Sequence, residues 1–313
     1  MIRQAAFVDK NKMLKGALHS HTTRSDGCDL PEDVVRLYKE RGFDFLAITD
    51  HRRYNYLNFA PDVDITIIPG MEFDNGRNIP CEHGFRTFHT VCIGPSAEDG
   101  NGFAHDEMLD SANAPDQEAY QPYLDDIHAK KNLTIYCHPQ LSSTPPRYFD
   151  KMQGNIAMEI WNSDCALEYD MDKDAMYWDD LLGQGIRLFG VATDDAHHHT
   201  QIGKGWVMVN AENNVNSILN ALKNGAFYST TGPQIYDFYV ENGKAVIECS
   251  PVKKVRLHAD CHPNRVEMAP FGKTLTKMEF DIANCRFPYD DYVRISVVDE
   301  DGHCAWTNPI FFD

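Results

Sequence analysis

The sequence predicts an α/β barrel followed by a small all-β unit. Seven apolar runs have strand composition, and several, such as FLAITD at 45–50 and ITIIPG at 65–70, are nearly continuous. Continuous apolar runs suit strands that are buried on both faces of a parallel sheet. Helical stretches separate several of the runs, and the pattern changes to short, closely spaced strands after Pro233.

The predicted strands and helices alternate over the first two thirds of the chain. Helical periodicity is present after Asp29 and at 116–131, 173–184 and 213–224. The stretch 95–115 is polar and aperiodic, which predicts a long surface loop that could cover a site. Strand–helix alternation with polar side chains at strand ends is the layout of an α/β barrel. The seven predicted strands cover residues 14–19, 43–49, 64–69, 86–94, 133–137, 155–161 and 187–193.

Residues 233–313 predict a small all-β, sandwich-like domain, which leaves residues 1–232 to the barrel. Glu241, Asn242 and Gly243 separate two short strand patterns and form a hairpin signal. Further short strand patterns follow at close spacing, as is typical of a sandwich.

Composition and charge exclude several classes of protein. The 313 residues carry a formal net charge of -18, which disfavours a nucleic-acid partner. The nine cysteines are an odd number without a CxxC pair, which argues against a disulfide framework and a thiolate zinc site. We find no signal-peptide pattern at the N-terminus and no run long enough to span a membrane. We therefore expect a cytoplasmic protein without membrane association, whereas the oligomeric state is not fixed by the sequence.

Histidine and acidic residues lie where the apolar runs end. Imidazoles and carboxylates gathered at strand ends are what a multinuclear metal site needs. No cysteine belongs to the set, and mixed nitrogen and oxygen ligands suit zinc, manganese or iron. The residues are His19, His21, Asp50, His51, Glu72, His89, His138, Asp194, Asp195 and His197.

Spacing predicts how some of these residues act. His19 and His21 point the same way from a strand because side chains alternate with period two. Glu72, on a predicted turn after Gly70, is the natural bridge between two metals, which would lie about 3.5–4 Å apart. His89 competes with His83 for one position and is favoured because it lies in an apolar run. Three neighbours are more consistent with supporting or solvent-facing positions: Asp194, His198 and His199.

These motifs resemble the PHP (polymerase and histidinol phosphatase) superfamily of metal-dependent phosphoesterases. The matching segments are HSHTTRSDG (19–27), ITDH (48–51), GME (70–72), His89, CHP (137–139) and DAH (195–197). The resemblance covers about residues 14–200, and the C-terminal β unit is similar to that of a subgroup of the superfamily.

The resemblance implies a distorted (β/α)7 barrel and two or three divalent metal ions held by nine residues. Asp26 stands where some relatives have His, which would alter the affinity or metal preference of the third position. In this scheme the first metal takes His19, His21, Glu72 and Asp195. The second takes Glu72, His89 and His138, and the third takes Asp26, His51 and His197.

The expected reaction is hydrolysis of a small-molecule phosphate ester, either a monoester or a diester, by a metal-activated hydroxide. We expect catalysis to depend on Glu72, Asp195, His138 and Arg52. The phosphate also needs cationic donors, for which the candidates are Arg24, Arg52, Arg53 and Lys204.

Two alternatives remain open at this point. The same metals could activate a hydroxide that hydrolyses a carboxylic ester, a carbamate or an amide. The barrel could instead be a non-catalytic platform whose β domain binds a partner, although a complete set of buried ligands without a metal would cost stability.

Overall fold

The computed structural model describes residues 4–7, 12–81, 84–99, 101–259, 265–283 and 291–312. The described helices confirm the four helical stretches predicted from periodicity and add a short one, α3. They are α1 (Pro31–Glu40), α2 (Gln117–Ala129), α3 (Ser163–Tyr169), α4 (Asp174–Gly183) and α5 (Val215–Lys223), with a 3₁₀ turn at Pro146–Tyr148. Among the described helices, none combines the length and apolar character needed to cross a membrane.

The strands of the described chain divide at Pro233 into two groups. Those before it are β1 (Gln4–Ala5), β2 (Met13–Ala17), β3 (Phe45–Leu46), β4 (Thr66–Ile67), β5 (Gly70–Asp74), β6 (Ile79–Cys81), β7 (Gly84–Arg86), β8 (His89–Ile93), β9 (Leu133–Tyr136), β10 (Asn155–Asn162), β11 (Phe189–Thr193), β12 (Trp206–Asn210) and β13 (Phe227–Thr230). Those after it are β14 (Ile235–Glu241), β15 (Lys244–Val252), β16 (Lys254–Ala259), β17 (Arg265–Met268), β18 (Leu275–Asp281), β19 (Tyr292–Val298), β20 (Cys304–Thr307) and β21 (Ile310–Phe311).

Two sheets frame the centre of the molecule. One has the order β5-β8-β9-β10-β11, and the other contains β4-β3-β2-β12-β13. Isolated parallel bridges, Ser20 to Ala196 and His51 to Glu72, link the segments after β2 and β3 to the segment after β11 and to β5, the two edge strands of the first sheet. The fold is therefore mixed α/β with a large β-rich part, and its described residues do not form a continuous hydrogen-bonded ladder around a closed barrel.

Strand directions differ from the prediction of a parallel sheet. The pairs β2–β3, β3–β4, β9–β10 and β10–β11 are parallel, but β8 is antiparallel to both β5 and β9. The connection from β5 to β8 contains the β6–β7 hairpin, whereas a parallel pair needs a long crossover that is usually helical. Because β8 is reversed, its first residue, His89, lies at the edge where the parallel strands end.

The strands bury an apolar cluster beneath that edge. Leu18, Phe45, Val91, Ile135 and Val191 belong to the same buried cluster and come from five different strand regions. Each lies within a few residues of a predicted metal ligand. The core therefore fixes the backbone from which those ligands project.

The predicted hairpin after Pro233 is confirmed. β14 pairs with β15 in antiparallel register, with Glu241 opposite Lys244. Asn242 and Gly243 between them both have positive φ, as a two-residue I′ turn requires.

The C-terminal strands form two layers around a shared core. β14, β15 and β18 form one sheet with β1, while β16, β17, β19 and β20 extend the sheet that contains β13. Phe238, Ile247, Val255 and Ile295 from the two layers pack in one cluster. The pairing of β13 with β20 crosses the predicted boundary at 232/233, which stays a prediction.

A buried charged cluster ties β19 to α4. Arg294 is fully buried, lies 4.3 Å from the Trp178 ring centroid, and donates from Nε to Asp179 Oδ1 at 3.0 Å. Its Nη2 also donates to His258 Nδ1 at 3.1 Å, and the other ring nitrogen of His258 lies 2.8 Å from Ser296 Oγ. Burial and the facing guanidinium lower the pKa of His258 to about 4.

This lowered pKa predicts acid destabilisation. Unfolded His258 has an ordinary pKa of 6.5, so its neutral native form favours folding fully above that pH and loses this contribution between 6.5 and about 4. At a pH below about 4, the free energy of unfolding should be lower by about 3 kcal/mol because of His258. Urea unfolding of wild type and His258→Gln across this range measures it. The stability difference between the two proteins should change with pH, and a constant difference would contradict the prediction.

Candidate metal centre

Nine predicted ligands converge at the edge where the parallel strands end. Seven of them follow β2, β3, β9 or β11 along the chain, whereas Glu72 lies within β5 and His89 begins β8. The prediction that Glu72 stands on a turn is wrong, because Gly70 already belongs to β5 and pairs with Ile93. The converging side chains are His19, His21, Asp26, His51, Glu72, His89, His138, Asp195 and His197.

A first group of donors surrounds the HxH pair. The Nε2 atoms of His19 and His21 lie 3.1 Å apart, and each lies 3.1 Å from Asp195 Oδ1. Glu72 Oε2 lies 3.5 Å from His19 Nε2 and 3.3 Å from His21 Nε2. All four side chains are buried.

The second carboxylate oxygen of Glu72 faces a different group. Glu72 Oε1 lies 2.9 Å from His89 Nδ1 and 3.2 Å from His138 Nε2. Glu72 therefore divides its two oxygens between two sets of imidazoles, which is the arrangement of a bridging carboxylate.

A third group lies nearer the solvent. Asp26 Oδ1 lies 3.5 Å from His197 Nε2, and Asp26 Oδ2 lies 3.3 Å from His51 Nε2. The Nδ1 atom of His21 also faces Asp26 Oδ1, at 3.4 Å. His21 thus contributes one nitrogen to the first group and the other to the third.

The donor chemistry fits metal cations. Asp195 Oδ1 and His51 Nδ1 are buried without a hydrogen-bond partner, and such unpartnered atoms are costly unless something satisfies them. Cys137 lies within reach of Glu72 and His138, but its Sγ accepts from the Val91 amide, and burial raises the pKa of this thiol well above its usual range. The fitting set is thus imidazole and carboxylate, which suits zinc, manganese or iron.

The charges of the site also favour the binding of cations. Burial opposes charging of His19, yet Asp195, Glu72 and Glu159 outweigh it and raise the pKa of His19 well above its ordinary value. Burial likewise opposes ionisation of Glu72, but the pKa of Glu72 is lowered well below its ordinary value by His89, His51 and His19. The site stabilises its carboxylates only when cations surround them, and metal ions would take the place of the protons on the imidazoles.

Glu159 holds the ring of His19 and the backbone of His138. Its Oε1 lies 2.7 Å from His19 Nδ1, and its Oε2 accepts from the His138 amide at 2.8 Å. Asn162 donates to Glu159 at 2.8 Å and to Asp195 Oδ2 at 3.0 Å. A proton on Nδ1 of His19 leaves the Nε2 lone pair directed at the first group, as is usual for metal-bound histidine.

The remaining aspartates and histidines near the ligands have other partners. Asp194 accepts from the backbone amides of residues 203–205 and from Tyr38, and so holds the loop after β11. Asp50 accepts from Thr22 and Ser25 in the loop after β2. His198 and His199 are exposed, and His83 lies outside the described residues.

Backbone strain is concentrated at the site. His138, Asp195 and Arg52 all have positive φ, of 26°, 50° and 57°. This region disfavours side chains with a Cβ atom, and such outliers persist where the surrounding structure enforces them. Each of the three lies at or beside a predicted ligand after a strand.

An open cavity of about 430 Å³ gives access to the ligands. Three of its lining residues were not predicted from the sequence: Leu141, Asp164 and Tyr169. Asp164 and Tyr169 lie on α3, whose cap is formed by Asn162 accepting from the Cys165 amide. The Asn-Ser-Asp signal at 162–164 could have indicated that helix.

The four predicted phosphate-binding residues do not line this cavity. Arg24 and Arg53 both face Asp106 of the 95–115 loop. Arg52 lies 3.2 Å from Asp74 and donates to Ser111, whereas Lys204 is exposed. Their contact with a phosphate stays a prediction.

Fold and site together define an α/β domain whose buried imidazole–carboxylate cluster is suited to several metal ions. Residues 17–161 match the family model of the PHP domain. This match covers four of the segments that carry the predicted PHP resemblance, at 19–27, 48–51, 70–72 and 137–139. No curated protein matched the sequence.

Several solved structures are similar over most of their length. One is a two-domain protein from Bacteroides vulgatus ATCC 8482, described as containing a predicted PHP-like metal-dependent phosphoesterase. It is 14% identical in sequence, with a TM-score of 0.47, and the match covers 98% of this chain and 96% of that one. A second is an amidohydrolase from Chromobacterium violaceum with bound sulfate and no metal, with 18% identity and a TM-score of 0.39 over 58% and 87%. A third, described as a metal-dependent phosphoesterase from Bifidobacterium adolescentis ATCC 15703, has 14% identity and a TM-score of 0.35 over 58% and 87%.

Proposed function

We propose that this protein is a metal-dependent phosphoesterase that hydrolyses a small-molecule phosphate ester at a di- or trinuclear site. The observation that carries the proposal is the division of the Glu72 carboxylate between two sets of imidazoles, at 2.9 to 3.5 Å. A shared carboxylate between adjacent cation positions is the arrangement of two-metal hydrolases.

The three groups of donors support one division of the ligands among the metals. One ion would be held by Glu72 together with His19, His21 and Asp195. A second ion would be held by Glu72 together with His89 and His138. The third group, Asp26, His51 and His197, would hold the third ion of a trinuclear site. Bound metals at these positions would lower the pKa of a coordinated water and neutralise phosphoryl oxygens. Zinc, manganese and iron remain the candidates.

The protein side chains supply orientation and charge balance. Glu159 holds the His19 ring with Nε2 toward the first group, and Ser142 Oγ lies 3.0 Å from His138 Nδ1 and does the same for His138. Asp74 connects the site to Arg52, since its Oδ2 lies 3.3 Å from His51 Nδ1 and 3.2 Å from Arg52 Nε. Arg52 is thus linked to the predicted ligand His51 through a single carboxylate, which favours it as a phosphate contact.

The proposal is tested with the full chain, stripped by chelator and reloaded with zinc, manganese or iron. Aryl phosphate monoesters and diesters are compared with carboxylic and carbamate esters of the same leaving group. We expect hydrolysis of phosphate esters that depends on added metal. Turnover of carboxylic or carbamate esters alone would instead favour that class of hydrolase, and inactivity of the loaded protein toward all substrates would overturn the proposal.

A further inference from the structure

A second cavity of about 600 Å³ adjoins the metal centre and differs from it in charge. Two arginines, Arg86 and Arg147, line it together with Tyr148, and we call this cavity the arginine groove. Its other lining residues are Pro80, Cys81, Gln140, Ser143, Pro145, Met171 and Tyr177. No acidic side chain is among them.

Both guanidinium groups lie against one aromatic ring. The Cζ atom of Arg86 is 3.4 Å from the Tyr148 ring centroid, and that of Arg147 is 4.6 Å from it. Arg86 Nε donates to the Ser143 carbonyl at 3.0 Å, which fixes the fork of this half-buried side chain. Within the described residues, the two forks make two hydrogen bonds, to the Ser143 carbonyl and the Tyr148 hydroxyl, so most of their N–H donors remain for a ligand.

Neither arginine forms an ion pair with a carboxylate of the described chain, although 47 acidic residues outnumber 29 basic ones in this sequence. By contrast, Arg36, Arg52 and Arg294 each face an aspartate. Two cations held beside one ring repel each other unless an anion lies between or above them. Tyr148 responds to this local field, because its hydrogen bond from Arg147 and both guanidiniums lower the pKa of its phenol.

The groove and the metal cavity are lined by residues that are close neighbours in the chain. Leu141 lines the metal cavity while the preceding Gln140 lines the groove, and Tyr169 and Met171 are divided in the same way. Arg86 stands three residues before His89 on the segment that leads into β8. A molecule with its ester at the metals could therefore extend into the groove.

We propose that the arginine groove binds a second anionic group of the substrate, a phosphate or a carboxylate remote from the ester that is hydrolysed. This inference rests on the proposed function and specifies its substrate class: a phosphate ester that carries another anion at its far end. Paired guanidinium forks bind phosphate and carboxylate by parallel hydrogen bonds, which an uncharged group cannot replace. The Tyr148 face and Tyr177 provide apolar surface for the connecting part of the molecule.

Kinetics of the metal-loaded enzyme test this specificity. The substrates are three phosphate monoesters of one alkyl chain that ends in a phosphate, a carboxylate or a hydroxyl group. Arg86→Gln with Arg147→Gln should lower kcat/KM for the two anionic substrates by about 10- to 100-fold, mainly through KM, and leave the hydroxyl substrate within about twofold. The larger loss among the two anionic substrates identifies the preferred group.

Two further variants make the kinetic result interpretable. Arg36→Gln removes a guanidinium that pairs with Asp62 on the exposed surface, and should leave all three substrates unchanged. Arg147→Gln alone alters an exposed side chain, so it keeps the test valid if the double variant does not fold. Equal kinetics of wild type and Arg147→Gln on every substrate, with equal loss on all three in the double variant, would overturn the proposal.

A binding measurement separates this proposal from the proposed function. Calorimetry of inorganic pyrophosphate with the metal-free full chain reports the groove without metals or turnover. We expect binding to wild type and a loss of about 10-fold or more in affinity in Arg147→Gln. Unchanged binding in the variant, or none in wild type, contradicts the groove whatever the esterase assay shows. Binding that is lost in the variant supports the groove even if no phosphate ester is hydrolysed.

Discussion

Glu72→Gln is expected to remove most of the metal-dependent activity and at least one equivalent of bound metal. The side chain is buried and its two oxygens face the first and second groups of donors, so one amide substitution weakens two metal positions together. Replacing the carboxylate by a neutral amide removes the charge shared between two cations. The loss in kcat/KM should exceed about 100-fold, above the 10- to 100-fold typical of residues that only support a ligand.

The measurement combines elemental analysis with steady-state kinetics at saturating manganese or zinc. His198→Ala is the matched control, because His198 is exposed and contacts Thr200 rather than the site. Wild type and the control should each hold two or three metal ions per chain and have similar activity. Equal loss of activity in the two folded variants would show that the donor assignment around Asp195 and His197 is wrong.

The convergence of the candidate ligands could be predicted from sequence because each position depends on a short, local signal. A polar residue that follows a buried apolar run must leave the core at a strand end, as His19, His51 and His138 do. Ends of parallel strands meet at one edge, so these positions converge without any knowledge of the loops between them. The candidate ligands could therefore be grouped into one site without any interatomic distance.

Features that depend on strand direction were harder to predict from the sequence. His89 was placed at the end of an apolar run, yet it begins a strand that runs antiparallel to both neighbours. Glu72 was placed on a turn, yet it lies within β5 and points inward from the middle of a strand. Both side chains still reach the site, because reversing β8 brings its first residue to the same edge. The hydrophobic pattern of a short run does not encode its direction.

Charge partners that are remote in sequence could not be predicted at all. Nothing near Arg24 indicates that Asp106 of the 95–115 loop will face its guanidinium. The same holds for the meeting of Arg86 and Arg147 on Tyr148. Such pairings depend on how loops pack after the strands are in place, and a single sequence gives only the charges.

The second large effect is on stability, and we expect it for Asp179→Ala. Asp179 is the carboxylate partner of Arg294, which is fully buried against Trp178 between α4 and β19. Among the described residues, His258 and the Trp178 ring are then the remaining partners of the buried guanidinium. Breaking a buried ion pair from one side typically costs 3–5 kcal/mol. The Asp179 side chain is 38% exposed, so solvent offsets part of the loss, and we expect about 2–3 kcal/mol.

Urea unfolding at neutral pH measures this loss in free energy, with Asp180→Ala as the matched control, since the neighbouring Asp180 is exposed on the same helix. The control should change stability by less than about 0.5 kcal/mol. Adding Arg294→Met to Asp179→Ala should recover part of the lost stability, because the double variant no longer buries an unpaired charge. Recovery would identify the uncompensated guanidinium as the cause. A double variant less stable than Asp179→Ala would instead mean that packing of Arg294 against Trp178, rather than its charge, stabilises the contact between α4 and β19.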